Sequence, residues 1–204
     1  ENISRVCKGS LHYAQEEIKN IEAKGVAIDS RKVEEGYIFI AVKGERADGH
    51  SFISQVFEKR ALAVICEELP KEPKGPCILV ENSLQALKDL AEFYRSCFTI
   101  PVIGITGSVG KTSTKEFIAG VLSQKYQVLK TEGNFNNEVG LPLTVLRIRE
   151  EHQVAVLEMG MSHFGEIAYL SQVGQPDQAV IINIGTMHME NLGSREGILK
   201  AKLE

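Results

Sequence analysis

The chain has 204 residues, 43% of them hydrophobic and 25% charged, with a formal net charge of -4 at pH 7. That length suffices for two small domains or one large one. The charge balance excludes a basic field that would draw the chain to nucleic acid or an anionic surface. No apolar run nears the roughly 18 residues of a membrane helix, so membrane insertion is not expected.

The start, Glu1-Asn2-Ile3-Ser4-Arg5, carries neither a signal pattern nor an initiator Met, and a trimmed N-terminus is expected. Cys7, Cys66, Cys77 and Cys97 form no C-x-x-C pair. Free thiols and a reducing cytoplasm are therefore expected.

The first hundred residues alternate short strands and helices. Gly25–Asp29 and Tyr37–Val42 read as strands, rich in β-branched and aromatic residues and bounded by glycine. The polar loop Lys43–His50 follows, then Phe52, Ile53, Val56 and Phe57 at helical spacing. Leu62–Cys66 and Cys77–Val80 are two more strands, separated by a loop with three prolines. Ser83 is placed to cap a helix whose apolar face is Leu84, Leu87, Leu90, Ala91 and Tyr94. Pro101 follows the end of that helix, and a domain junction is expected near residue 99.

The second half repeats a strand–loop–helix unit. Strands are expected at 102–106, 126–130, 154–158 and 179–184, and helices at about 111–123, 140–147, 164–173 and 194–204. Ser162 and Ser194 are possible caps. Strands alternating with helices specify an α/β fold with a parallel sheet. The last residues lie mid-helix with no glycine stop, so the sequence is expected to be a piece of a longer protein.

The segment Val102–Ser113 is a buried strand, a glycine-rich turn and a helix opening on Lys111-Thr112-Ser113. Backbone amides of such a turn face an anion, a lysine adds a point charge and a hydroxyl can hold Mg²⁺. The pattern G-x-x-x-x-G-K-[ST] is not met, because Ile105 occupies its first glycine position. Gly107, Ser108, Val109, Gly110, Lys111, Thr112 and Ser113 are the candidate nucleotide contacts; the alternative is a structural strand-to-helix turn.

Ligands of open parallel sheets lie beyond the carboxyl ends of the strands. That rule gathers the loop 107–113, Asn134, Asn136 and Asn137, Glu158, and Thr186, His188 and Glu190. Glu158 can hold Mg²⁺ opposite Thr112. His188 has metal, phosphate and ordinary loop roles open to it. In the first half, Asp29-Ser30-Arg31 and Asp48-Gly49-His50 can bind an anion or serve only as turns.

Three stretches resemble the Mur ligases: Glu132–Thr144, with Asn134-Phe135-Asn136-Asn137 before Gly140-Leu141-Pro142; Leu157–Ile167; and Asn183–Ser194. Within that family they resemble the branch that joins D-alanyl-D-alanine to UDP-N-acetylmuramoyl-tripeptide. The resemblance implies a small N-terminal UDP-binding α/β domain over 1–98 and part of a P-loop-type, parallel-sheet ATP-binding domain over 99–204. It implies ATP and Mg²⁺, a cytoplasmic monomer, and a tripeptide carboxylate activated as an acyl phosphate before amine attack. By family position Lys111, Glu158, His188 and Lys202 are catalytic. Thr112, Glu158, His188 and a carbamylated Lys202 hold metal, Asn137 lines the nucleotide site, and Ser30, Arg31, Asp48, Gly49 and His50 contact the UDP substrate. The family has a longer central domain and a third domain, so these 204 residues alone are expected to be inactive. The alternatives are the sister ligase that adds the third amino acid, and a nucleotide-binding regulatory module without ligase chemistry.

Overall fold

The computed structural model describes residues 2–14, 21–44 and 47–204. Glu45 and Arg46 of the loop expected at 43–50 lie outside the described residues. The chain divides into two compact units, Glu1–Leu90 and Ala91–Glu204.

The first unit contains α1 (Asn2–Val6), β1 (Ser10–His12), β2 (Gly25–Ala27), β3 (Tyr37–Ile40), α2 (Ile53–Glu58), β4 (Ala63–Cys66) and β5 (Cys77–Leu79). The helix α3 (Ser83–Ser96) begins in it, and the division between the units falls inside this helix. Strand order is β1-β5-β4-β3-β2. β2 to β5 run parallel, and β1 joins β5 antiparallel, so the sheet is mixed. Its core gathers Val33, Phe39, Ala41, Ile53, Val56, Val64 and Cys66. Full burial of Phe39 alone contributes about 2–3 kcal/mol of hydrophobic stabilisation. The cap of α3 is Asn82, whose Oδ1 accepts the Gln85 N–H at 2.8 Å. Ser83 instead is fully buried as the first helical residue, with its N–H given to Glu67.

The second unit holds β6 (Val102–Thr106), α4 (Lys111–Leu122), β7 (Val128–Lys130), α5 (Gly140–Val145), β8 (Val154–Glu158), α6 (Glu166–Gly174), β9 (Gln178–Ile181), α7 (Met189–Leu192) and α8 (Arg195–Lys202). All four strands are parallel, in the order β7-β8-β6-β9. β6 is therefore flanked on both sides, and the carboxyl ends of β8 and β9 open beside the turn that leaves it. Ile105, Ala119 and Val156 are buried between this sheet and α4, with Ile103, Ile118, Leu122 and Val128 against them.

Two further local expectations are corrected. Ser162 does not cap α6; Gly165 does, at φ 86°, and Ser162 gives its own N–H to Glu166. β9 ends at Ile181 rather than 184. Ile182 still donates to Thr106 O, but Asn183 turns its carbonyl and side chain to the turn after β6. Ser194 does cap α8, accepting the Gly197 N–H at 3.1 Å.

Arg95 is a buried anchor of the second unit. Its guanidinium donates to Phe98 O at 2.7 Å, Gly174 O at 3.0 Å, and Ile100 O and Gln175 O at 3.3 Å. Asp177, 3.8 Å away, in turn accepts the Val102 N–H at 2.7 Å. One planar fork thus ties the end of α6 to the entry of β6. Replacing it leaves several buried carbonyls without donors, so Arg95→Met is expected to cost about 3–5 kcal/mol. A urea titration reads this as a lower midpoint at unchanged slope; an unchanged midpoint contradicts the anchoring role.

Candidate functional site

In the second unit the turn between β6 and α4 carries the glycine signal of the sequence. Gly110 sits at φ 85°, a conformation that disfavours any Cβ, and it forms the N-cap of α4. The first intrahelical bond runs from Thr114 N–H to Gly110 O. The amides of Lys111, Thr112 and Ser113 precede it and have no intrahelical acceptor. Together with the helix dipole they form an anion-binding end. Lys111 Nζ folds over the turn and donates to Gly107 O at 2.9 Å.

Glu158, the last residue of β8, meets this helix end. One carboxylate oxygen accepts from Thr112 Oγ1 at 2.9 Å, the other from Asn136 Nδ2 at 2.8 Å. The residue is 2% exposed. Both side-chain partners of the carboxylate are neutral, and a buried carboxylate with neutral partners draws a cation. Its backbone is fixed from behind: the Glu158 N–H donates to Thr131 Oγ1 at 2.9 Å, and the fully buried Lys115 donates to Thr131 O at 2.7 Å.

This donor set fits Mg²⁺. That ion is held by one or two carboxylates plus substrate phosphates rather than by an all-protein cage. Thr112 Oγ1 and Glu158 supply a hydroxyl and a carboxylate at the head of a phosphate-binding helix. Among the described residues no three His, Cys, Asp or Glu side chains come together as a metal site by themselves.

Lys202 lies at the end of α8, 5% exposed. Burial, then the charge of Lys111, pushes its ammonium down to about 8. Lys202 also lines a cavity of about 250 Å³ with Thr106, Met159, Ile167, Pro176 and Ile181. His188 takes φ 63° as the N-cap of α7, and its carbonyl accepts from Asn191 and Leu192. Among the described residues its imidazole makes no hydrogen bond or ion pair with Glu158 or Lys202.

The family resemblance implies that Asn137 lines the nucleotide site. In the fold its Oδ1 accepts the N–H of Gly140 at 2.9 Å and of Val139 at 3.3 Å, which starts α5. The neighbour Asn136 is the one that reaches Glu158. The amides of Ser108 and Val109 both go to Asn183 Oδ1. Thr131, Lys115 and Asn183 had not been singled out. A lone polar residue interrupting the apolar run Ala179–Ile184 was the available signal for Asn183.

In the first unit the ends of neighbouring strands β2 and β3 carry two similar turns. Asp29 caps a 3-10 turn over Ser30–Lys32, and Asp48 caps another over Gly49–Phe52. Ser30 is buried, while the Arg31 guanidinium doubles back onto Asp29 through bonds of 2.9 and 2.8 Å. Hydrogen bonding from Arg31 holds the Asp29 carboxyl down at about 2. Gly49 packs so closely that a Cβ there would lie 2.7 Å from Val42 N. Both ring nitrogens of His50 are engaged: Nε2 accepts the Glu67 N–H at 2.9 Å, and Nδ1 lies 2.6 Å from Asp48. The ring therefore presents Nδ1–H to Asp48 and pins this turn to the end of β4.

Comparison with known proteins settles the family. The sequence matches the Mur ligase middle domain over residues 105–204 and the Mur ligase family, catalytic domain, over residues 22–95. The chain belongs to the Mur ligase family. A UDP-N-acetylmuramoyl-tripeptide--D-alanyl-D-alanine ligase of Bacillus subtilis (strain 168) is 52% identical over all of this chain, which covers 45% of that protein. A crystal structure of MurF from Acinetobacter baumannii superposes with a TM-score of 0.89 at 40% identity, over 98% of this chain and 44% of that one. A MurF ligase from Thermotoga maritima in complex with ADP gives 0.81 at 41% identity, over 89% and 42%. This Mur ligase chain is thus a MurF homologue that spans about 45% of the length of the relatives it matches.

Proposed function

We propose that the chain is the UDP-substrate-binding and ATP-binding part of a ligase that joins D-alanyl-D-alanine to UDP-N-acetylmuramoyl-tripeptide in the cytoplasm. The observation that carries the reading is the Thr112–Glu158 pair at the free amide end of α4, on the strand ends where the family resemblance is concentrated. Residues 1–98 take the uridine nucleotide through Ser30, Arg31 and the turn Asp48-Gly49-His50. Residues 99–204 take ATP on the amides around Gly110–Ser113.

Lys111 swings from Gly107 O to the terminal phosphates, where its charge offsets the negative charge that develops during transfer. Thr112 and Glu158 hold Mg²⁺, and His188 and Lys202 support a second ion. Mg²⁺ supplies charge neutralisation of the phosphoryl group when bound. Lys202 is buried beside a cation, which keeps part of its amine neutral near pH 8 and suits its conversion to a carbamate. The tripeptide carboxylate takes the γ-phosphoryl group, and the amine of D-alanyl-D-alanine displaces phosphate.

The test is a panel of amines offered to the protein at the length of its relatives. Phosphate release from ATP is expected to require both UDP-N-acetylmuramoyl-tripeptide and D-alanyl-D-alanine. Release supported equally by diaminopimelate or lysine points instead to the sister ligase. Release independent of any UDP substrate points to a regulatory nucleotide module. Residues 1–204 by themselves are expected to bind nucleotide and form no amide bond; amide formation by that stretch alone contradicts this part.

A further inference from the structure

We propose that Asn183 is a positioning residue for the phosphate loop, fixing its entry half so that its exit half and the head of α4 are left to meet phosphate. The inference rests on the nucleotide reading above. Asn183 Oδ1 accepts the N–H groups of Ser108 and Val109, each at 3.1 Å. Its Nδ2 donates to Val109 O at 2.9 Å. One planar amide thus grips both the N–H and the C=O of Val109, as a strand backbone would. Two further ties join the same segments: Ser108 N–H to Asn183 O at 3.2 Å, and Gly185 N–H to Ser108 Oγ at 2.9 Å.

The two segments also pack closely where each places a glycine against the other. A Cβ on Gly107 would lie 3.1 Å from Ile182 Cβ, and one on Gly185 would lie 3.1 Å from Ser108 Cβ. The peptide groups at 108 and 109 therefore have a partner that does not depend on ligand. This divides the loop's amides into two sets. Those of Ser108 and Val109 are spent on Asn183, and those of Lys111, Thr112 and Ser113 are free for an anion. A loop whose first half is held in place loses less conformational freedom when phosphate arrives.

Neither alanine nor aspartate reproduces the grip. Alanine removes both bonds to Val109. Aspartate keeps the acceptor, loses the donor to Val109 O, and adds negative charge beside a phosphate site.

The experiment is calorimetric titration of the protein with MgADP, and with UDP as a control ligand on the other unit. Asn183→Ala is expected to weaken MgADP binding about tenfold or more through the lost hydrogen bonds, and Asn183→Asp by at least as much. UDP affinity is expected to stay within about twofold, because the loss is confined to the loop. MgADP affinity within about twofold of the parent in Asn183→Ala overturns the inference.

A parent that binds no MgADP overturns the nucleotide reading and this inference with it. A parent that binds, with an unaltered variant, overturns this inference alone. Should the variants not fold, amide hydrogen exchange in the parent decides. Ser108 and Val109 are expected to be protected with and without MgADP, while Lys111, Thr112 and Ser113 gain protection on binding. Fast exchange at 108 and 109 in both states overturns the proposal.

Discussion

Lys202→Met is expected to stabilise the fold at pH 7, by about 3 kcal/mol if the whole cost of charging the buried amine is recovered. Lys202 is almost fully buried, and the charge that acts on it is another cation, Lys111. Its pKa falls from 10.5 to about 8. Below about pH 8 both folded and unfolded chains carry the proton, and the folded chain bears the full penalty. Between about 8 and 10.5 the unfolded chain holds a proton that the folded chain has lost, so parent stability rises with pH through that window. Methionine keeps an unbranched chain of similar volume without the charge.

Urea titrations of parent and variant in bicarbonate-free buffer from pH 7 to 10 measure the difference. It is expected to be largest at pH 7 and to close towards pH 10. A difference that stays flat with pH sinks the account of Lys202. The same substitution is expected to abolish ligase turnover in the protein at the length of its relatives, where the proposed role of Lys202 needs its nitrogen. Gaining stability while losing activity is the trade expected of a residue kept strained for function.

Glu158→Gln is expected to weaken MgADP binding by on the order of 100-fold, since a metal clamp contributes several kcal/mol of charge stabilisation. Glutamine preserves volume and can still accept from Thr112, so the loss isolates the charge rather than the packing. Lys111→Ala is expected to be comparably damaging, because it removes a side-chain cation that folds over the loop. In both variants UDP affinity on the first unit is expected to hold within about twofold, because both substitutions lie in the second unit. Calorimetry with the two ligands reads both sites in one protein. MgADP affinity unchanged in Glu158→Gln removes the metal assignment.

The second unit was legible because its signals are local. Val102–Thr106 is a β-branched run with no polar alternation, Gly110 marks a positive φ, and Lys111 opens a helical pattern. The strand-end rule then placed Glu158 beside Thr112 without any long-range information. What stayed hidden depends on tertiary partners. Ser10–His12 becomes a strand only because β5 offers an antiparallel edge; three mixed residues carry no period of their own. Asn82 and Ser83 are both good caps, and the Glu67 carboxylate, which takes the Ser83 N–H, leaves the capping to Asn82. Asn136 and Asn137 differ by one position, and only the fold shows that one faces Glu158 while the other starts α5. Lys115 carries no local signal of burial; it is buried because α4 packs against the end of β7, where its amine donates to Thr131 O.

The most direct test is a crystal structure of the chain with MgADP. The diphosphate is expected on the amides of α4's first turn, with Lys111 released from Gly107 O. Mg²⁺ is expected to stand between Thr112 Oγ1 and Glu158, where the two now share a hydrogen bond of 2.9 Å. A nucleotide bound elsewhere, or bound here with the Thr112–Glu158 hydrogen bond intact and no metal at Glu158, contradicts the account.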